Sequence, residues 1–275
     1  MTAVQETVFA TLASLSEALL PIAKEEAAQQ ARLLLCHALR ISNSELISLY
    51  ASPMPEARER TLRAYLARRL SGEPLQYILG EWEFMGLPFY VKSGALIPRQ
   101  DTETLAEHAL KLIKERKYKT ALDLCCGTGC IGISLAKLSD VSVTLADISP
   151  LCLTLAQKNA ERNGVFTKLS EGDLFSAVSE RFDIIVTNPP YIQTDTLDTL
   201  QKEVQFEPRI ALDGGEDGLM FYRRIRDTYK AYLAPNGALL MEVGEKQASD
   251  VCKLFDNAYT VKDLCKIDRV VVVNG

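Results

Sequence analysis

The sequence predicts an α/β protein, a mainly parallel sheet with helices between its strands, preceded by a small all-helical unit. Three observations carry that expectation. From residue 119 onward, short β-prone runs alternate with segments of helical period, the pattern of parallel strands joined by right-handed crossovers. Before residue 76 there is no strand-like alternation. Between the two, aromatic residues are broken by Gly and Pro. A length of 275 residues suits one large domain or two ordinary ones.

Residues 1–72 read as helical. Between Glu25 and Arg40, residues Ala27, Ala31, Leu34, Leu35 and Ala38 form one stripe. A second helix is expected over Glu56–Leu70, with Leu62, Tyr65, Leu66 and Leu70 as its apolar stripe. Tyr77–Gly80 and Phe84–Val91 are β-prone and suggest a hairpin linker. The expected organisation is a helical domain over 1–73, a β-hairpin linker over 74–98 and a catalytic domain over 99–275. Pro98-Arg99-Gln100-Asp101 opens a helix, with Asp101 as its N-cap and Leu105, Ala109, Leu112 and Ile113 as its stripe.

The alternating region follows. A strand over Thr120–Leu124 leads through a Gly-containing turn to a helix over Cys130–Leu138. A strand over Val141–Ala146 ends beside Asp147. Ser149-Pro150 then starts a helix that stops at Asn163-Gly164, with Pro inside its start and Gly at its end. A third strand precedes Glu171, and Phe182–Val186 is a buried strand. A helix over Asp217–Leu233 leads to a strand over Gly237–Val243, and Tyr259–Asp263 and Arg269–Val273 supply two more.

Composition narrows the function. Hydrophobic residues are 47% and charged residues 24%, as in globular proteins, and the net charge is −5. An acidic chain is a poor coat for naked nucleic acid, which needs a basic field. Seven cysteines, with Cys125 and Cys126 adjacent, make a poor disulfide framework and suggest reduced thiols in the cytoplasm. The N-terminus has no basic region of a signal peptide and carries Glu6, and no apolar run approaches the ~20 residues of a membrane span. Cys125, Cys126 and Cys130 match no zinc spacing, and His37 and His108 are far apart, so no metal is expected.

Asp123-Leu124-Cys125-Cys126-Gly127-Thr128-Gly129 lies between a strand and a helix. Glycines let the backbone approach a ligand, and the helix N-terminus points amide donors at it. Asp147 ends the next strand, where an acidic residue binds ribose hydroxyls at the switch point of an open sheet. Gly127, Gly129 and Gly132 formally satisfy the dinucleotide spacing. Asp123, however, would repel a pyrophosphate and suits a cationic group. S-adenosylmethionine, with an ammonium, a sulfonium and no phosphate, fits better. Asp173 stands where it can accept from an adenine amino group or serve as a loop aspartate.

Asn188-Pro189-Pro190-Tyr191 follows a buried strand. Two prolines end the ladder and fix the backbone. The Asn188 side-chain carbonyl and the Pro189 backbone carbonyl can accept the two N–H bonds of a planar substrate amide or amine, aiming its lone pair at a methyl donor. Tyr191 can stack on the planar group. No dedicated base is needed, because the methylated nitrogen is acidic.

With these motifs the chain resembles the release-factor glutamine methyltransferases over essentially its whole length. The resemblance includes Ala31–Leu39, Pro74–Gly80, Ile97–Glu103, the donor loop, Asn188–Ile192 and Phe206–Arg209 followed by Ala211-Leu212. It implies a class I S-adenosylmethionine-dependent methyltransferase fold, Rossmann-like with a mainly parallel seven-stranded sheet. It implies methylation of the side-chain amide nitrogen of the glutamine in the Gly-Gly-Gln loop of class I peptide chain release factors, with S-adenosylhomocysteine as the other product. It places the cofactor on Asp123, Cys125, Cys126, Gly127, Thr128, Gly129, Asp147, Asp173, Leu174 and Asn188. The catalytic residues would be Asn188, Pro189 and Tyr191, and the substrate would meet Asn188, Pro189, Pro190 and Tyr191. A cytoplasmic monomer, with no membrane and no stable nucleic-acid partner, is the accompanying expectation. Two departures stand out: the family's loop usually has Gly at the position of Cys125, and Pro at that of Gln100.

The tetrapeptide is shared with adenine methyltransferases of nucleic acids, the alternative function. That reading wants a basic recognition domain, and residues 1–100 carry ten basic and ten acidic groups. Arg58, Arg60, Arg63, Arg68 and Arg69 are expected on a solvated helix face.

Overall fold

The structure, a computed structural model, describes residues 6–275, so the first five residues of the expected helical stretch lie outside the described residues. The chain divides into two units. The smaller comprises the described residues up to Gly80 together with Lys202–Phe206; the larger comprises Glu81–Gln201 and Glu207–Gly275.

The smaller unit contains α1 (Val8–Ala23), α2 (Ala27–Leu39), α3 (Asn43–Ser48), α4 (Glu56–Leu70) and α5 (Leu75–Leu79). Thr7 caps α1, and Ser42 with Glu45 forms a reciprocal capping box on α3. The α2 stripe is buried as its spacing predicts, against Leu15 and Leu19 of α1, Leu46 of α3 and Leu62 of α4. Two expectations fail here. On α4 the buried position one turn beyond Leu66 belongs to Arg69, which is 1% exposed, while Leu70 is 43% exposed. Arg69 is therefore not on a solvated face. Its Nε donates to Gln30 Oε1 at 2.9 Å, and its guanidinium pairs with Glu203. Tyr77–Gly80 is not a strand either. Leu75 and Ile78, three residues apart, bury together in this core, and that burial holds the segment helical until Gly80 ends it in the left-handed region.

The larger unit begins with a hairpin, β1 (Glu81–Phe84) and β2 (Leu87–Tyr90), which turns on Met85 and Gly86, both at positive φ. Phe84 and Phe89 bury edge to face in the main core, and the side chain of Asn159 hydrogen-bonds both backbone groups of Tyr90. The hairpin is thus part of this unit's packing. There follow α6 (Gln100–Arg116), β3 (Thr120–Leu124), α7 (Cys130–Leu138), β4 (Ser142–Asp147), α8 (Pro150–Asn163), β5 (Lys168–Glu171) and β6 (Phe182–Thr187). The unit ends with α9 (Met220–Tyr232), β7 (Leu233–Glu242), α10 (Ala248–Cys252), β8 (Ala258–Lys262) and β9 (Asp268–Asn274). Arg99, not Asp101, occupies the N-cap of α6; Asp101 sits in the first turn and pairs with Arg269 at 3.0 Å. The helix expected from Asp217 starts at Met220, because Gly215 and Gly218 turn through positive φ first.

The seven-stranded sheet has the order β5-β4-β3-β6-β7-β9-β8. All pairings are parallel except those of β9, which runs antiparallel to β7 and β8. Alternate residues feed two cores. Ala121, Val143, Ile184, Leu240 and Val272 pack with α6, α7 and α8. Leu122, Ala146, Ile185, Leu239 and Val271 pack with α9 and α10. With β4 on one side of β3 and β6 on the other, the chain leaves β3 in opposite directions. A crevice therefore opens at the carboxyl ends of these strands.

Candidate active site

That crevice holds a cavity of roughly 890 Å³, including its open mouth. Its walls come from the ends of β3, β4 and β6, the turn after β5, and the segment around Pro208. Of the residues selected from sequence, Cys125, Gly127, Asp147, Asp173, Leu174, Asn188 and Pro190 line it. Asp123, Cys126, Thr128, Gly129, Pro189 and Tyr191 do not.

The reason is the strand period. Asp123 alternates with Leu122 and Leu124, so its side chain lies on the α7 side of the sheet. There Oδ2 accepts from the Gly132 N–H at 2.8 Å, while Oδ1 has no hydrogen-bond partner among the described residues. Burial and the neighbouring Asp147 push its pKa up to about 7, against the opposing pull of the Gly132 hydrogen bond. Gly132 is needed for packing: a Cβ there would lie 2.4 Å from Leu145 and 2.9 Å from Asp123 Cβ. Cys126 and Thr128 bury their side chains, and the Thr128 carbonyl accepts from Asn159 at 2.9 Å. These residues shape the turn from behind.

Cys125 takes φ 59°, the left-handed conformation that a Cβ disfavours. Its thiol and that of Cys152, also in the wall, are pushed up by burial to about 12 and about 11, and both stay protonated. All seven cysteines are free, and among the described residues no cluster of His, Cys, Asp and Glu could hold a metal.

Asp147 accepts from Gly127 N–H at 2.8 Å through Oδ2 and from Ser149 N–H at 2.9 Å through Oδ1. Each oxygen retains a lone pair for a further donor, such as a ribose hydroxyl. Burial raises its pKa, and the backbone donors oppose that rise. Asp173 pairs through Oδ2 with Arg224 at 2.7 Å, a partner the sequence did not reveal, and a carboxylate so paired keeps lone pairs for a further donor. Asp147 and Asp173 are the carboxylates of the cavity wall, and the arginine in that wall, Arg224, is already neutralised by Asp173. That suits a cationic ligand without phosphates, and S-adenosylmethionine fits the residues present.

Asn188 closes the cavity at the end of β6, with its Nδ2 3.4 Å from Thr102 Oγ1. The Tyr191 ring turns away from the cavity, and its hydroxyl lies 3.4 Å from Glu242 Oε1. Its backbone is held closely. Gln247 Nε2 donates to the Tyr191 carbonyl at 2.9 Å, and a Cβ on Gly214 would lie 2.7 Å from Tyr191 Cα. Sequence reading missed Gly214, Gln247, Glu242 and Thr102. The Gly214-Gly215 pair was the available signal; the others show no spacing relation to the tetrapeptide.

The fold and the site define a class I methyltransferase. Residues 100–216 match the methyltransferase small domain, and residues 10–80 match the PrmC N-terminal domain. The fold is shared with a methyltransferase from Pyrococcus furiosus, at 16% identity, 78% of this chain, 98% of that chain and TM-score 0.51. It is also shared with the 16S rRNA N2 G1207 methyltransferase of T. thermophilus, at 18% identity, 70% of this chain, 49% of that chain and TM-score 0.52. Closer relatives share the sequence as well. A release factor glutamine methyltransferase from Geobacter sulfurreducens is 44% identical over 259 residues, 90% of each chain. One from Haemophilus influenzae is 35% identical over 279 residues, 93% of this chain and 96% of its own. The chain belongs to the release factor glutamine methyltransferase family.

Proposed function

We propose that this chain transfers a methyl group from S-adenosylmethionine to the side-chain amide nitrogen of the Gly-Gly-Gln glutamine in class I peptide chain release factors. The observation that carries the reading is the place of Asn188: a side-chain amide on a proline-fixed backbone, in the wall of a cavity suited to a cationic donor. The bound cofactor supplies an electrophilic methyl group. Asp147 would hold the ribose, and the backbone at Cys125 and Gly127 would meet the cofactor beside it. The Asn188 Oδ1 and the Pro189 carbonyl accept the two N–H bonds of the glutamine amide. That raises the electron density on the nitrogen and fixes its orientation toward the methyl group. Pro190 fills the wall beside Asn188, and the methylated nitrogen releases its proton to solvent.

An isolated glutamine offers little binding energy, so remote contacts must position it. The smaller unit is assigned that task. Adding a release factor should slow amide exchange within residues 6–80, whereas adding cofactor alone should leave those residues unchanged.

The central test offers methyl-labelled cofactor with a release factor, the same factor with its Gly-Gly-Gln glutamine replaced, and duplex DNA. Label should enter only the first. Label in DNA would instead support the adenine reading.

A further inference from the structure

Beside the tetrapeptide lies a buried carboxyl that the transfer chemistry above does not use. Glu242 ends β7 and is 3% exposed, and its Oε2 has no hydrogen-bond partner among the described residues. Its Oε1 faces the Tyr191 hydroxyl, and the Thr102 hydroxyl interacts favourably with the carboxylate. Thr102 also faces Nδ2 of Asn188. Both contacts are 3.4 Å, long for full hydrogen bonds. The carboxyl thus faces the Tyr191 end of the tetrapeptide directly and the Asn188 end only by way of Thr102.

We propose that Glu242 is a positioning residue: through Thr102 it fixes which end of the Asn188 amide faces the cavity, and it anchors the Tyr191 ring directly. The inference rests on the reading of Asn188 given above. A hydroxyl has one proton to give, and an ionised carboxylate can only accept. With Glu242 ionised, Thr102 donates to it and presents lone pairs to Asn188. Only the NH₂ end of Asn188 can bond to those lone pairs, so Oδ1 is turned to the cavity, where the substrate N–H needs an acceptor. With Glu242 protonated, the carboxyl can donate to Thr102, which then donates to Asn188 Oδ1. The amide turns over and presents donors to a donor.

The groups facing Glu242 set where this change falls. Burial, foremost, and Asp101 of α6 raise its pKa; Thr102, Arg269 of β9 and Tyr191 lower it, leaving it at about 7. The Tyr222 hydroxyl of α9 donates to the Glu242 backbone carbonyl at 2.8 Å, and the Cys130 thiol of α7 also senses the carboxylate. Both stay neutral, because burial raises the pKa of each. The carboxyl ionises as pH rises through about 7, so methyl transfer should fall as pH drops through that value.

The test is single-turnover methylation of a release factor from about pH 6 to about pH 8.5, with cofactor affinity measured in parallel. Wild type should show an inflection near 7. Glu242→Gln, whose amide can donate or accept, should be flat with pH and about 10–100-fold slower than wild type at the alkaline end. Thr102→Val should lose both rate and inflection, whereas Thr102→Ser should restore both. Cofactor affinity should stay within a few-fold throughout. A wild-type inflection surviving in Glu242→Gln, or Thr102→Ser as slow as Thr102→Val, overturns the assignment. Should Glu242→Gln fail to fold, the Thr102 pair decides. Equal labelling of a release factor lacking its Gly-Gly-Gln glutamine overturns the functional reading itself, an outcome distinct from either of these.

Discussion

Replacing Asp123 by Asn should flatten the pH dependence of the larger unit's stability. The carboxyl is fully buried, with one oxygen on the Gly132 N–H and the other without a partner among the described residues. Burial raises its pKa from 3.8 to about 7. The unfolded chain therefore ionises first, and stability is lost as pH rises from about 4 to about 7 and stays level above. Moving from 3.8 to about 7 corresponds to ~4 kcal/mol over the whole window, of which ~3 kcal/mol falls between about pH 5 and about pH 8. Asparagine keeps an acceptor for Gly132 and carries no charge. Glu242 shifts in the same direction, but both variants retain it, so it cancels in the difference. Thermal unfolding at the two pH values measures it. At about 2–4 °C per kcal/mol, wild type should lose roughly 6–12 °C more than Asp123→Asn on going to the higher pH. Parallel behaviour of the two proteins would refute a raised Asp123 pKa and mean that water reaches the carboxylate.

Asp147→Ala should leave the fold intact and weaken S-adenosylmethionine binding by about 1.5–3 kcal/mol, read by calorimetric titration; unchanged affinity would move the ribose elsewhere. Asn188→Ala and Asn188→Asp should bind cofactor within a few-fold of wild type yet lose about 10²–10³ in single-turnover rate. A near-normal rate for Asn188→Ala would reduce the tetrapeptide to a strand terminator. Gly214→Ala places a methyl group 2.7 Å from Tyr191 Cα, where backbone rather than a flexible side chain must yield. It should lower unfolding stability by about 1–3 kcal/mol and reduce transfer far more than cofactor affinity.

The sheet was legible because short apolar runs bounded by turn signals alternate with helical segments, and both Cys130–Leu138 and Pro150–Asn163 match the structure residue for residue. Tyr77–Gly80 was misread because its composition is β-prone; burial of Leu75 and Ile78 decides for helix. Arg69 was misplaced because charge alone cannot show that Gln30 and Glu203 satisfy it inside. In the site, the acids and glycines of the turn could be read from sequence, and so could Asn188. Which of them face the cavity depended on strand phase, and that put Asp123 behind the wall. The supports of the tetrapeptide, Thr102, Glu242 and Gln247, come from three separate elements that no spacing rule connects.

The five residues Lys202–Phe206 count with the helical unit although they are threaded between two stretches of the catalytic one. The chain therefore changes unit three times, and the N-terminal region is no detachable appendage. Cutting after Gly80 would strip Glu203 of the buried guanidinium it pairs with. A chimera between two members of this family would need to carry both pieces, the N-terminal helices and this short insertion, as one inherited block. Sequence changes at Arg69 and at Glu203, 134 positions apart, should accordingly travel together in descent.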